Sequence, residues 1–109
     1  MKTGELVAKG IRFSIDKEGR EIAHAYLYLL TNDLHATPFG LLEDVHVDSS
    51  HRGTGMGRDL LSSVLERARI EKCYKLIATS RDDGTRQSVH DWYIRLGFRD
   101  YGTEFRMDL

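Results

Sequence analysis

Little in this chain of 109 residues marks it as one of the special classes of protein. There is one cysteine, Cys73, so no internal disulfide can form, and a reducing compartment suits it. There is one proline, Pro38, and there is no Pro/Gly/Ser linker, low-complexity tract or internal repeat, which predicts a single domain over residues 1–109. No charge of one sign dominates. Lys and Arg total 16 against 17 Asp and Glu, for a formal net charge of −1 with no block of like charges. That balance argues against a nucleic-acid binder, which carries a basic face. The longest apolar run, Ala25 to Leu30, falls far short of the ~20 residues that span a bilayer, so no membrane association is expected. The stretch Met1 to Ala8 is too short and polar for a signal peptide, and a cytoplasmic location is the expectation. The five histidines (His24, His35, His46, His51 and His90) show no metal-ligand spacing, so no metal site is expected.

What the chain does contain reads as α/β. Leu6 to Ile15 predicts a strand, Asp16 to Gly19 a turn, and Glu21 to Thr31 a returning strand rich in aliphatics and tyrosines. Phe39 to Val47 predicts a third strand, followed by a glycine-rich loop and a helix over Met56 to Lys72. In that helix Leu60, Leu61, Val64, Leu65 and Ala68 fall on one stripe that faces a sheet. Tyr74 to Thr79 predicts a buried strand, giving a βαβ unit with a right-handed crossover. A second helix is expected over Ser88 to Leu96, with Gly97 as its C′ residue. Phe98 to Leu109 alternates loosely and predicts one or two terminal strands.

The segment Arg52-Gly53-Thr54-Gly55-Met56-Gly57 lies between a strand end and a helix start. Glycines there let consecutive backbone N–H groups turn toward one point. The helix they open adds about half a positive charge at its N-terminus and brings N–H groups without intrahelical partners. A phosphate or pyrophosphate is the natural occupant; the plain alternative is a tight strand-to-helix turn. Counting from Gly53, the third glycine of a Rossmann fingerprint would fall on Arg58, and no Gly-Lys-Ser/Thr follows as a Walker loop requires. Arg52 and Arg58 can offer planar forks to phosphate, although for Arg58 a solvated helix face is an equal reading.

These residues resemble the GNAT acetyltransferase family. Arg52-x-x-Gly55-x-Gly57 matches its Gln/Arg-x-x-Gly-x-Gly/Ala signature, and 35 residues past Gly57 the run from Trp92-Tyr93 to Gly97-Phe98 resembles its aromatic-Tyr-x-x-x-Gly-Phe element. Glu43-Asp44-Val45-His46-Val47 and Cys73-Tyr74-Lys75 are locally most similar to glucosamine-6-phosphate N-acetyltransferases. The resemblance covers roughly Leu41 to Leu109 and implies an acyl-CoA N-acyltransferase fold: a mixed, mostly antiparallel sheet with a central splayed strand pair and two main helices. It implies acetyl-CoA as co-substrate, with the amides of Arg52, Gly53, Thr54, Gly55, Met56 and Gly57 on its pyrophosphate. The main chain of Val45, His46 and Val47 would meet the pantetheine arm and the developing oxyanion. Three departures stand out. The segment before the third strand is too short for the two helices that usually wall the acceptor site, which implies either an open pocket or one that a homodimer completes. Arg86 stands where asparagine is usual as a CoA contact, and Val89 where Ala or Asn is usual.

The implied reaction is direct acetyl transfer to a primary amine of a small molecule, an amino sugar in the nearest subfamily. An amine near pKa ~10 is mostly protonated at neutral pH, so a general base helps. Glu43 and Asp44 are the candidates, since consecutive strand residues face opposite sides and one must face the cleft. Their plain reading is strand-edge carboxylates. Tyr93 matches the family's general acid, whose phenol keeps its proton at neutral pH and can donate it; its plain reading is a packed helix aromatic. Two alternatives stay open: a non-catalytic CoA-binding module, and an acetyltransferase of protein or peptide amines. Cys73 is expected to pack as a small hydrophobe.

Overall fold

The computed structural model describes all residues, 1–109. The chain forms two compact units, Met1–Ala78 and Thr79–Leu109.

The first unit is built on β1 (Lys9–Lys17), β2 (Arg20–Leu30), β3 (Phe39–Val47), α1 (Met56–Ile70) and β4 (Leu76–Ala78), with a 3₁₀ turn at Ser49–His51. The sheet order is β1-β2-β3-β4. The first two pairings are antiparallel and the third is parallel, so the sheet is mixed and mostly antiparallel, as the sequence led us to expect. The hairpin turn narrows to Glu18 and Gly19, at φ 54° and 75°. Two consecutive positive φ values make a two-residue turn whose twist matches the strands it joins.

The parallel pairing is short. Gly40, Leu41 and Leu42 pair with Leu76, Ile77 and Ala78, and there the ladder ends while β3 continues to Val47. β4 ends at Ala78, so β3 has no β4 partner beyond Leu42. At Gly40 an added Cβ would lie 2.8 Å from Leu76 Cδ1 and 3.0 Å from Leu27 Cδ1, so a larger residue would push these leucine side chains aside.

One face of the sheet carries the core. Ala23, Ala25, Leu27 and Leu29 of β2 and Leu42 of β3 are buried, and α1 lays Leu60, Leu61, Val64 and Ala68 on them. The predicted stripe is thus the buried one, except that Leu65 stays at its half-buried margin. The two alanines keep that part of the sheet low, so a helix can approach closely. Full burial of each large aliphatic side chain contributes roughly 1.5–3 kcal/mol. α1 ends at Ile70, two residues before the expected Lys72, because Lys72 sits at φ 60°, outside the helical region. The Cys73 N–H then donates to the Ala68 carbonyl at 3.0 Å and closes the helix end. Burial, with the Glu71 carboxylate nearby, pushes the Cys73 thiol above its ordinary value, which fits packing and not reactivity.

The second unit contains α2 (Gln87–Arg95). Gly97 takes φ 104°, the Phe98 N–H donates to the Tyr93 carbonyl at 3.0 Å, and the Gly97 N–H donates to Ile94 at 3.0 Å. This is a Schellman cap. The terminal strands expected over Phe98 to Leu109 are not formed; the segment is irregular and mostly exposed. Its alternation is a period-2 pattern that no ladder partner takes up, and pattern alone makes no strand.

Candidate functional site: an open amide loop and a splayed strand

β3 leads into the loop through Asp48. Its carboxylate is held below the ordinary range, first by the Ser50 hydroxyl at 3.1 Å, then by Arg20 at 3.1 Å, with His51 adding to the effect. The Arg52 side chain turns back, its Nε donating to the Val47 carbonyl at 3.0 Å. Thr54 Oγ1 donates to the His51 carbonyl. These contacts fix the loop at both ends.

Gly53 and Gly55 stand at φ 78° and 86°. A Cβ added at either would meet no atom within 4 Å. The requirement for glycine is therefore conformational, and the space over the loop is open. Gly55 is the N-cap of α1 and offers no side-chain cap. The N–H groups of Met56, Gly57 and Arg58 begin the helix without intrahelical partners, whereas the Asp59 N–H already reaches the Gly55 carbonyl at 3.0 Å. Three uncapped donors on the positive end of a 15-residue helix suit a doubly charged phosphate group. The residues present thus fit the pyrophosphate of acetyl-CoA. Arg58 is exposed and forms no ion pair.

Two side chains near this loop were missed in the sequence. A cavity of about 280 Å³ lies against the loop, lined by Ile15, Lys17, His51, Thr54, Met56 and Asp59. Lys17 reaches it from the end of β1, while Arg20, across the hairpin turn, lines a neighbouring depression with Lys17 and His51 and is tied to Asp48. No local signal marks them, because hairpin pairing and not sequence neighbourhood brings them to the loop.

The strand candidates separate at a bulge. Tyr26 pairs with Glu43 and His24 with His46, so Asp44 and Val45 together oppose Ala25. Asp44 is at φ 50°, the left-handed conformation that a bulge can require. The simple alternation assumed for Glu43 and Asp44 breaks here. Glu43, cross-strand from Tyr26, lies on the sheet face opposite α1 and is half-buried, while Asp44 sits exposed on the bulge itself. Glu43 is also the first residue of β3 past the end of the β4 ladder. Val45, His46 and Val47 follow in the stretch that has no β4 partner.

Tyr93 and Arg86 belong to the second unit. Tyr93 stacks on Trp92 with ring centroids 5.6 Å apart and meets Phe98 edge-on at 5.3 Å. The Tyr-x-x-x-Gly-Phe spacing is thus the spacing of a Schellman cap, in which the residue after the glycine packs on the last turn. Arg86 is the N-cap of α2 and makes no side-chain cap bond. No group of three or more His, Cys, Asp or Glu could hold a metal ion, and no helix is long and apolar enough to cross a membrane.

The loop signature, the short parallel pairing of β3 with β4 and the order of elements agree with one family. The Acetyltransferase (GNAT) domain matches residues 9–100. This chain is a member of the GNAT acetyltransferase family. It is 40% identical over 70 residues to the glucosamine 6-phosphate N-acetyltransferase of Trypanosoma brucei brucei, a match covering 64% of this chain and 44% of that protein. The chain therefore spans less than half the length of that curated relative. An acetyltransferase crystal structure from Trypanosoma brucei superposes with a TM-score of 0.78 at 31% identity, over 94% of this chain and 69% of that one. The glucosamine-6-phosphate N-acetyltransferase structure from Arabidopsis thaliana shares the fold, with a TM-score of 0.78 at 20% identity over 91% and 66% of the two chains.

Proposed function

We propose that this chain is an N-acetyltransferase that moves acetyl from acetyl-CoA to a primary amine of a small molecule, with amino sugars the first class to test. The observation that carries the reading is the uncapped row of amides at Met56, Gly57 and Arg58, opened by two glycines at positive φ. Acetyl-CoA supplies the activated acetyl group. The loop amides and Arg52 hold its pyrophosphate, and the unpaired edge of β3 from Val45 to Val47 offers main-chain donors and acceptors to its arm.

Glu43 is the preferred base, because it lies on the sheet face opposite α1 just past the end of the β4 ladder; Asp44, on the bulge, is the second candidate. A carboxylate there takes the proton that an alkylammonium must lose before it can attack. Tyr93 donates a proton to the departing thiolate. The similarity to a glucosamine 6-phosphate N-acetyltransferase supports an amino sugar as acceptor.

A thiol-release assay across a panel of amines, run beside calorimetric titration with acetyl-CoA, tests the reading. Turnover with an amino sugar is the expected result. Tight cofactor binding with no turnover on any amine would favour a CoA-binding module, the reading that Arg86 at the family's asparagine position also supports. No binding at all would end both.

A further inference from the structure

The sheet face opposite α1 is neither aliphatic nor simply polar. On β2 it carries Tyr28, Tyr26 and His24, and on β3 Glu43 and His46, each paired across the strands. Four rings run in sequence along it. Tyr28 and Tyr26 lie nearly parallel at 11° with centroids 6.4 Å apart, His24 meets Tyr26 edge-on at 5.8 Å, and His46 lies 5.4 Å from His24. The only helix of this unit packs on the other face.

Two features hold these rings down and present their surfaces. Gly10 is the β1 partner of Tyr28, and an added Cβ would lie 3.3 Å from Tyr28 Cε1, so the ring rests over a bare backbone. Tyr28 is 37% exposed in that position. Tyr26 is pinned by Arg12, whose Nε donates to its hydroxyl at 3.0 Å while the guanidinium also bonds Glu21 at 2.8 Å. That pairing raises the Arg12 pKa, so the clamp stays charged. The strip therefore has an apolar floor and a charged rim of Arg12, Glu21 and Glu43.

We propose that this strip is the acceptor platform, and that it takes a pyranose ring bearing a primary amine. The inference rests on the acetyl-transfer reading and names where its acceptor lies. A pyranose has an apolar C–H face and a hydroxyl rim, which match the nearly parallel rings of Tyr26 and Tyr28 edged by charge. Register supplies the direction. Tyr26 pairs with Glu43, the first residue of β3 past the end of the β4 ladder, so a ring seated on Tyr26 and Tyr28 has its amine beside Glu43. An extended apolar peptide would find too little apolar surface between these charged groups.

The test uses two acceptors: glucosamine 6-phosphate, and 2-aminoethyl phosphate, which has the amine and the phosphate without the ring. Tyr28→Leu should raise the Michaelis constant for the sugar about three- to tenfold, the scale of one aromatic contact, and leave those for 2-aminoethyl phosphate and acetyl-CoA within about twofold. Gly10→Val, which lifts the Tyr28 ring, should act in the same direction. Equal losses for both acceptors, or no loss for either, would overturn the platform. Proton NMR of the Tyr26 and Tyr28 rings, titrated with the sugar without cofactor, decides the matter even where turnover is absent. Shifts that saturate support the proposal, and unmoved rings at saturating sugar refute it. Ring shifts that follow protein concentration alone would instead make this face an interface between copies. Loss of acetyl-CoA binding, read separately, bears on the acetyl-transfer reading and not on the platform.

Discussion

α1 and α2 each have a glycine at one end, and the two glycines do opposite work. Gly55 at the start of α1 turns the chain at positive φ and leaves the first amides of the helix without a cap. Gly97 past the end of α2 also takes positive φ, but there it closes a Schellman cap and satisfies the last carbonyls. The helices differ in burial as well: α1 buries Leu60, Leu61, Val64 and Ala68, while no residue of α2 is buried. An amphipathic sequence is thus common to both, and what each helix contributes depends on which end is open and which side is covered. α1 carries much of the core and leaves the amides at its start uncapped. α2 carries a compact local cluster of Trp92, Tyr93 and Phe98.

The contrast in burial is the easiest part to break. Leu61→Ala should destabilise the protein by about 2–5 kcal/mol in denaturant unfolding, because a side chain only 1% exposed leaves a cavity. Ile94→Ala on α2, at a residue 51% exposed, should stay within about 0.5 kcal/mol. Comparable losses at both positions would show that α2 is as deeply embedded as α1.

The contrast between helix ends predicts the next effect. Gly55→Glu puts a side chain at φ 86° and a negative charge over the amides, and acetyl-CoA affinity in calorimetry should fall at least ~100-fold. Undiminished affinity would remove the loop from cofactor binding. Tyr93→Phe should lower kcat about 10²-fold, the lower end for a general acid, with the Michaelis constant for acetyl-CoA nearly unchanged. Since the ring contacts with Trp92 and Phe98 persist in the phenylalanine variant, an unchanged rate would leave Tyr93 a packing residue.

The smallest effect concerns acid stability. Arg12 holds the Glu21 carboxyl below the ordinary carboxylate range, with His24 adding to the effect. A depressed carboxyl stabilises the fold above its ordinary value near ~4.3 and loses that contribution as pH falls further. Glu21→Gln should therefore flatten the loss of stability below that pH. The change should be slight, because the pair is exposed to solvent.

Much of this was legible in local residue order. The stripe from Leu60 to Ala68 announced a helix with one buried side, and the glycines from 53 to 57 announced an uncapped turn into that helix, because helical period and backbone freedom are written in neighbouring residues. Phe98 to Leu109 shows the converse: its alternation suits a strand, yet a strand needs a partner, and none pairs with it here. Glu43 and Asp44 could not be told apart because the bulge that separates them is defined by pairing with β2. Lys17 and Arg20 gave no signal for the same reason.

The sequence by itself determined the elements of the first unit, the open start of α1 and the cap of α2, since each depends on residues a few positions apart. Only the tertiary structure decided where the β4 ladder ends along β3, which face Glu43 occupies and that four rings line up beside it. Those are facts of strand register. Register is set by the sum of contacts along whole strands, and a shift of one residue would send every side chain to the other face.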